Sequence, residues 1–182
     1  ISSATALSVT AVGVDPTTVN ATAAYCFDFR VSSTGALTAT SDSVIITFPD
    51  NTDVPTSIPT SGVTVESGGF SDNATAVVVN GQVVSVVVPV DVANSGDVSV
   101  TFTTGASIEN PSNPSNYTVG LRTSQDGSVT SNPYTISAST TTVSSASVSL
   151  SNSTPLVTSN YTISFTSGSK GRMWAANSTI EI

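Results

Sequence analysis

Between Ala21 and Val31 the chain alternates without a break. Ala21, Ala23, Tyr25, Phe27, Phe29 and Val31 fall on one face, and Thr22, Ala24, Cys26, Asp28 and Arg30 on the other. Successive side chains of a strand point to opposite sides of its sheet, so this pattern predicts a strand with one aromatic, buried face. Shorter stretches of the same kind predict strands near 4–14, 43–48, 62–66, 75–79, 83–90, 97–103, 117–123 and 128–137. Asn80-Gly81 between Val-rich runs predicts a type I′ hairpin, which needs positive φ at both central residues. Pro49, Pro55, Pro59, Pro111, Pro114 and Pro133 punctuate loops or strand ends, since proline cannot donate to a ladder. No segment carries a helical period. The expectation is an all-β fold of two antiparallel sheets packed as a sandwich.

Composition narrows the function classes. Ser and Thr make up 62 of 182 residues, while charged residues are 9% of the chain. Hydroxyls therefore do the solvating that charges usually do, and Thr with Val favours extended backbone. Twelve acidic residues against four basic ones give a net charge of −8, which repels a nucleic-acid backbone and disfavours anionic lipid surfaces. No apolar run approaches the ~20 residues of a membrane-spanning helix, so no direct membrane insertion is expected. With no His and a single Cys26, neither an internal disulfide nor a Cys/His metal cluster can form. The chain begins at Ile1, which reads as a processed form or an excised segment.

An internal match exists at an offset of 136 residues. Without gaps, Tyr25 falls on Tyr161, Phe29 on Phe165, Gly35 on Gly171, Ala39 on Ala175 and Ile46 on Ile182. Val12 also falls on Val148, and Val14 with Leu150, Phe27 with Ile163, Leu37 with Met173 and Val44 with Ile180 are conservative pairs. The alignment has 12 identities in 46 positions, and the aromatic and Gly matches carry it in so Ser/Thr-rich a chain. On this reading residues 1–136 form one complete repeat. Residues 137–182 form the first strands of a second, completed by a neighbouring subunit or by sequence beyond Ile182. A sandwich with half its strands missing would expose an apolar face and open edges.

Ser43-Val-Ile-Ile-Thr-Phe-Pro49, Val54-Pro-Thr-Ser-Ile58 and Val63-Thr-Val65 open a series of motifs. Val88-Pro-Val-Asp-Val92, Val98-Ser-Val-Thr-Phe102, Gly105-Ala-Ser-Ile-Glu-Asn-Pro111 and Ser131-Asn-Pro-Tyr-Thr-Ile136 continue it. The series resembles the immunoglobulin-like β-sandwich repeats of prokaryotic (archaeal or bacterial) cell-surface, adhesin and extracellular filament proteins. The resemblance covers residues 1–136 in order and returns in the partial copy. It implies an immunoglobulin-like architecture, an extracellular or cell-surface location and partners that are copies of the same chain or adjacent repeats. It implies no ligand.

Asn-X-Thr glycosylation acceptors stand at Asn20, Asn73, Asn116, Asn152, Asn160 and Asn177, and N-linked glycans would hydrate a charge-poor surface. Asn73 and Asn116 lead, because Asn73 reads as lying in a polar loop and Asn116 follows a Pro/Ser/Asn-rich one; Asn160 and Asn177 come next. Asp50 and Asp53 in Asp50-Asn51-Thr52-Asp53 could offer oxygens to calcium, although such residues also simply form turns. The carboxylates show no opposed catalytic pair, and Cys26 matches Thr162 in the second copy, which argues against a required nucleophile. Catalytic residues are therefore expected to be none, with no cofactor beyond glycans and a conceivable calcium. Arg172 and Trp174, with Lys170 beside them, and the strand end at Ile180 and Ile182 are the candidate subunit contacts. The leading expectation is a structural subunit of an extracellular filament or surface layer joined by β-strand complementation. A rigid stalk segment of a large adhesin is the alternative, a carbohydrate-binding module comes third, and an enzyme comes last.

Overall fold

A computed structural model describes residues 5–140, 142–168 and Ile180. In chain order the strands are β1 (Ser8–Asp15), β2 (Ala24–Arg30), β3 (Ser43–Thr47), β4 (Val63–Ser67), β5 (Phe70–Asn73), β6 (Ala76–Asn80) and β7 (Val83–Val87). They continue as β8 (Asp97–Phe102), β9 (Ser115–Tyr117), β10 (Gly120–Thr123), β11 (Val129–Thr130), β12 (Tyr134–Ile136), β13 (Ser144–Leu150) and β14 (Tyr161–Thr166). Two short 3-10 turns, Thr60–Gly62 and Thr104–Ala106, are the helical elements among the described residues. The chain divides into two compact units, Ile1–Ser137 and Ala138–Ile182.

The first unit is a β-sandwich. One sheet runs β1-β2-β8-β4-β5 and the other β11-β10-β3-β7-β6, with every ladder antiparallel. The aromatic face expected of β2 is there: Tyr25, Phe27 and Phe29 are buried, and Cys26 and Asp28 look outward between them. Tyr25, Phe27, Phe48 and Phe102 meet edge to face at 5.4–6.0 Å between ring centres, an arrangement favoured by the ring quadrupoles. Val44 and Ile46 of β3, Val84 and Val86 of β7 and Leu121 of β10 close the core from the second sheet.

Three expected elements changed on folding. The run 117–123 divides into β9 and β10, which belong to different sheets. The run 128–137 is not one strand: β11 pairs with β10, and after Pro133 the chain leaves that sheet and β12 pairs with β9. The proline has no N–H for a continuing ladder. The hairpin at 80–83 forms, but Asn80 pairs with Val83, so Gly81 and Gln82 are the turn and only Gly81 has positive φ. That fits type II′ rather than I′. The turn with two positive-φ residues is Gly68-Gly69, which joins β4 to a strand, β5, that lacks the expected alternation of apolar residues.

The second unit contains one described hairpin, β13–β14. Its register copies β1–β2. Val12 opposes Phe27 and Val14 opposes Tyr25 in the first unit; Val148 opposes Ile163 and Leu150 opposes Tyr161 in the second. Adding 136 to each number of the first pair of contacts gives the second. The bulge recurs as well, since Ser8 to Ala11 faces Arg30 to Asp28 and Ser144 to Ser147 faces Thr166 to Ser164. Even the left-handed residue of the connecting loop is matched, Asn20 by Leu156.

Candidate functional site

The two hairpins differ in what covers them. Tyr25 is 0% exposed and Tyr161 is 67% exposed, at equivalent places in equivalent strands. Val148 is 59% and Leu150 45% exposed, and Ile163 and Phe165 are only half-buried where Phe27 and Phe29 are enclosed. In the first unit this face packs under the second sheet. In β13–β14 the same alternation puts Val148, Leu150, Tyr161, Ile163 and Phe165 on one side of a two-stranded ribbon, the first three exposed and the last two half-buried. A two-stranded hairpin is at best marginally stable alone.

A second open feature lies at one border of the sandwich, where β5 and β6 are the edge strands of their sheets. A row of cross-strand partners runs Phe29–Val98–Ser67–Phe70 across β2, β8, β4 and β5. Directly opposed residues point to the same face, so Phe70 lies on the core side of its sheet. Phe29, Val98 and Ser67 are buried, whereas Phe70 is 73% exposed. The opposing sheet ends at β6 and leaves the end of the row uncovered. In β6, Val77 and Val79 pack on the core and Val78 faces out at 61% exposure. Its five residues, Ala76-Val-Val-Val-Asn80, include neither charge nor proline, the usual protections of a strand edge.

Asn20, Asn73, Asn116, Asn152 and Asn160 are all exposed. Asn73 ends β5, at the corner where the chain crosses to β6. The Thr135 hydroxyl donates to Asn116 Oδ1 at 2.7 Å across β9–β12, and the Thr154 amide donates to Asn152 Oδ1 at 2.9 Å. Asn177, Lys170, Arg172, Trp174 and Ile182 lie outside the described residues; Ile180 is 56% exposed.

Asp50 and Asp53 are both exposed. The carbonyls of their loop converge instead on an amide: Gln82 Nε2 donates to Pro49 O at 3.0 Å and to Asp50 O and Thr52 O at 2.8 Å. Asp53 is bridged through its backbone to Glu109. These carbonyls would be natural calcium ligands, and a neutral donor already occupies them. Among the described residues no group of three or more His, Cys, Asp or Glu side chains is placed to hold a metal.

Cys26 is half-buried, with Sγ 3.4 Å from Ser99 Oγ and accepting from Thr101 Oγ1 at 3.5 Å. A shallow groove beside it is lined by Asp28, Glu66 and Asp97. Arg30 and Asp97 make an exposed ion pair at 3.7 Å, which contributes little to stability.

The polar group that sequence reasoning missed is in the core. Tyr25 donates to Asn110 Oδ1 at 2.6 Å, and Asn110 Nδ2 donates to Pro16 O at 2.7 Å and Thr18 O at 2.8 Å. One buried amide thus ties the β1–β2 loop to the aromatic layer. Nearby, Tyr134 Oη and Thr52 Oγ1 are buried without hydrogen-bond partners. The two hydroxyls and that of Tyr25 are close enough to weigh on one another, yet Tyr134 lacks bonding geometry to either, so burial decides its acidity. Burial pushes the Tyr134 phenol up to about 12 and that of Tyr25 higher still. Asp42 goes the other way: the Ser124 hydroxyl, the Thr38 amide and the Gln125 amide hold its carboxyl below the ordinary carboxylate value.

Among the described residues no helix is long and apolar enough to cross a membrane. The chain matches no protein-family model and no curated protein at a significant level.

Proposed function

We propose that this chain is a structural subunit of an extracellular filament or surface layer, with copies of itself as partners and assembly through β-strand complementation. The observation that carries the reading is the hairpin β13–β14, which repeats β1–β2 in register while exposing Val148, Leu150 and Tyr161 on the face that its counterpart buries. The same hairpin occurs twice, and among the described residues only the first has a covering sheet. Strand addition would supply both missing components, ladder partners and an apolar cover.

The sandwich is read as immunoglobulin-like. The orders β1-β2-β8-β4 and β11-β10-β3 correspond to the two sheets of that fold, and β5, β6 and β7 are then an inserted excursion between its fourth and fifth strands. The second unit is read as a partial second repeat. The Ser/Thr-rich, charge-poor surface and the exposed Asn-X-Thr sites favour an extracellular, N-glycosylated chain.

Negative-stain electron microscopy and sedimentation of the purified 182-residue chain over a concentration series test the assembly. Filaments or sheets are expected. Monomers at every concentration, with both units folding cooperatively, would sink the proposal. Intact mass of the native material before and after enzymatic removal of N-glycans tests the glycans, and an unchanged mass would remove them.

A further inference from the structure

Every backbone N–H of the β2–β3 connection, from Val31 to Asp42, meets an acceptor. Seven of these twelve amides donate to main-chain carbonyls. The other five donate to side chains, and three of those are carboxylates. Ser32 donates to Asp126 Oδ2 at 3.0 Å, Thr38 to Asp42 Oδ2 at 2.8 Å and Ala39 to Asp91 Oδ1 at 2.7 Å. A neutral counterpart stands among them, since the Ala36 amide donates to Asn94 Oδ1 at 3.0 Å. The three carboxylates come from three places: the residue before β3, the β7–β8 connection and the turn between β10 and β11. We infer that this loop is an acid-released latch: protonation of Asp42, Asp91 and Asp126 frees residues 32–42 locally while the sandwich stays folded. The latch lies within the first unit and does not rest on the assembly reading.

Two features confine the action of acid to this pole. Among the described residues the buried core contains no Asp or Glu, so protonation leaves the packing between the sheets alone. Charge repulsion does not unfold the unit either. Eleven acidic residues against Arg30 and Arg122 give it a side-chain charge of −9, and protonating all eleven leaves only +2, too little for the self-repulsion that drives acid unfolding. Elsewhere the carboxylate bonds are local. Asp28 accepts from Cys26 in its own strand, Asp72 from the amide of the next residue, and Asp97 pairs with an exposed Arg30.

A charged acceptor makes a hydrogen bond about twice as strong as a neutral one, and protonation takes that difference away. Asp91 is exposed and Asp42 and Asp126 are half-buried, so solvent protons reach all three. The groups bonded to them are neutral: the amides already named, and on Asp42 also the Ser124 hydroxyl at 2.6 Å and the Gln125 amide at 2.9 Å. Among the described residues none of the three has an ion-pair partner, since Arg30 is taken by Asp97. The donors on Asp42 hold its carboxyl below the ordinary value, so its bonds persist above that range and are lost as pH falls through the lowered value. Without the carboxylates the loop keeps its main-chain bonds to Val92 and Val88 and the buried Leu37. Release is therefore a local opening rather than unfolding.

Amide hydrogen exchange of the isotope-labelled full chain tests the latch, read by NMR at about pH 7 and about pH 3, on either side of the ordinary carboxylate range. After correction for intrinsic exchange, protection at Ser32, Thr38 and Ala39 is expected to fall at least about tenfold, the difference between a charged and a neutral acceptor in one bond. Amides in the centre of β2 and β8 are expected to keep theirs. A chain carrying Asp42→Asn, Asp91→Asn and Asp126→Asn retains an acceptor oxygen at each place, as Asn94 supplies for Ala36. Its loop protection should not change between the two pH values. Unchanged protection of the loop in the unsubstituted chain would overturn the inference, and so would an equal fall in β2 and β8, the mark of global unfolding. A fall of the same size in the triple variant would overturn it too, because acid would then be acting elsewhere. Should the triple variant not fold, the single Asn variants make the same comparison one amide at a time. Each must remove the pH dependence of its own amide, and a variant series that leaves all three pH-dependent sinks the latch.

Discussion

Tyr25 and Tyr161 allow the same substitution in the same strand position under opposite burial, which makes them the sharpest probe of the uncovered face. Tyr25→Ala removes a ring that is 0% exposed and bonded to Asn110. Truncating a buried aromatic costs about 3–5 kcal/mol, and the abandoned Asn110 oxygen adds about 1–3 kcal/mol. Most of the stability of a domain of ordinary size is then gone. Tyr161→Ala removes a ring that is 67% exposed, so about a third of the burial term is at stake in the free chain, roughly 1 kcal/mol. The remaining two-thirds becomes available when a partner covers the face, roughly 2 kcal/mol per contact or a ~30-fold weaker association. Urea unfolding of dilute chain, read by near-ultraviolet circular dichroism, checks the first pair of numbers. Sedimentation velocity over a concentration series checks the last. A Tyr161→Ala chain that unfolds as readily as Tyr25→Ala would show that the face is already covered within the monomer. One that assembles as well as the unsubstituted chain would show that the face is not a contact. Either result refutes the reasoning.

Other perturbations follow from the same structure. Tyr134→Phe removes a buried hydroxyl without a partner and is expected to leave stability unchanged or raise it, whereas Tyr25→Phe is expected to cost about 1–3 kcal/mol; denaturant midpoints of the two decide it. Gly35→Ala would drive a methyl into the Asp126 carboxylate, which accepts from the Ser32 amide at 3.0 Å, so a loss of about 1–3 kcal/mol is expected in thermal unfolding. Alkaline stability should fall above pH 10. The unfolded chain releases the Tyr134 proton at its ordinary value of 10.0 while the folded chain keeps it to about 12, so stability is full below that window and drops by about 1.4 kcal/mol per pH unit within it. The drop should be smaller in Tyr134→Phe. Acid should loosen the tie between Asp42 and Ser124. The folded carboxyl is lowered, so its contribution is present above the unfolded carboxylate value and is lost as pH falls through the folded one. Asp42→Asn should flatten that part of the urea-midpoint profile.

Period-two alternation made the centre of the sandwich readable from the sequence. β2, β3, β4, β7 and β8 all carry Val, Ile or aromatic residues at every second position, and a strand that must bury one face has no other way to be written. The offset of 136 residues found in the sequence also relates the cross-strand pairs of β13–β14 to those of β1–β2. What the sequence left open depended on contacts far apart along the chain. β5 reads Phe-Ser-Asp-Asn and has no alternation to detect; its place follows from the Gly68-Gly69 turn and the free side of β4. Nothing near Gln82 announces that its amide would fill the loop carrying Asp50 and Asp53. Asn110 sits 85 residues from Tyr25 and looks like any loop asparagine until the fold brings them to 2.6 Å. The sequence of Tyr161 to Phe165 is that of a buried strand. Only the tertiary structure, which among the described residues gives a covering sheet to β1–β2 and none to β13–β14, decides that Tyr25 is buried and Tyr161 exposed.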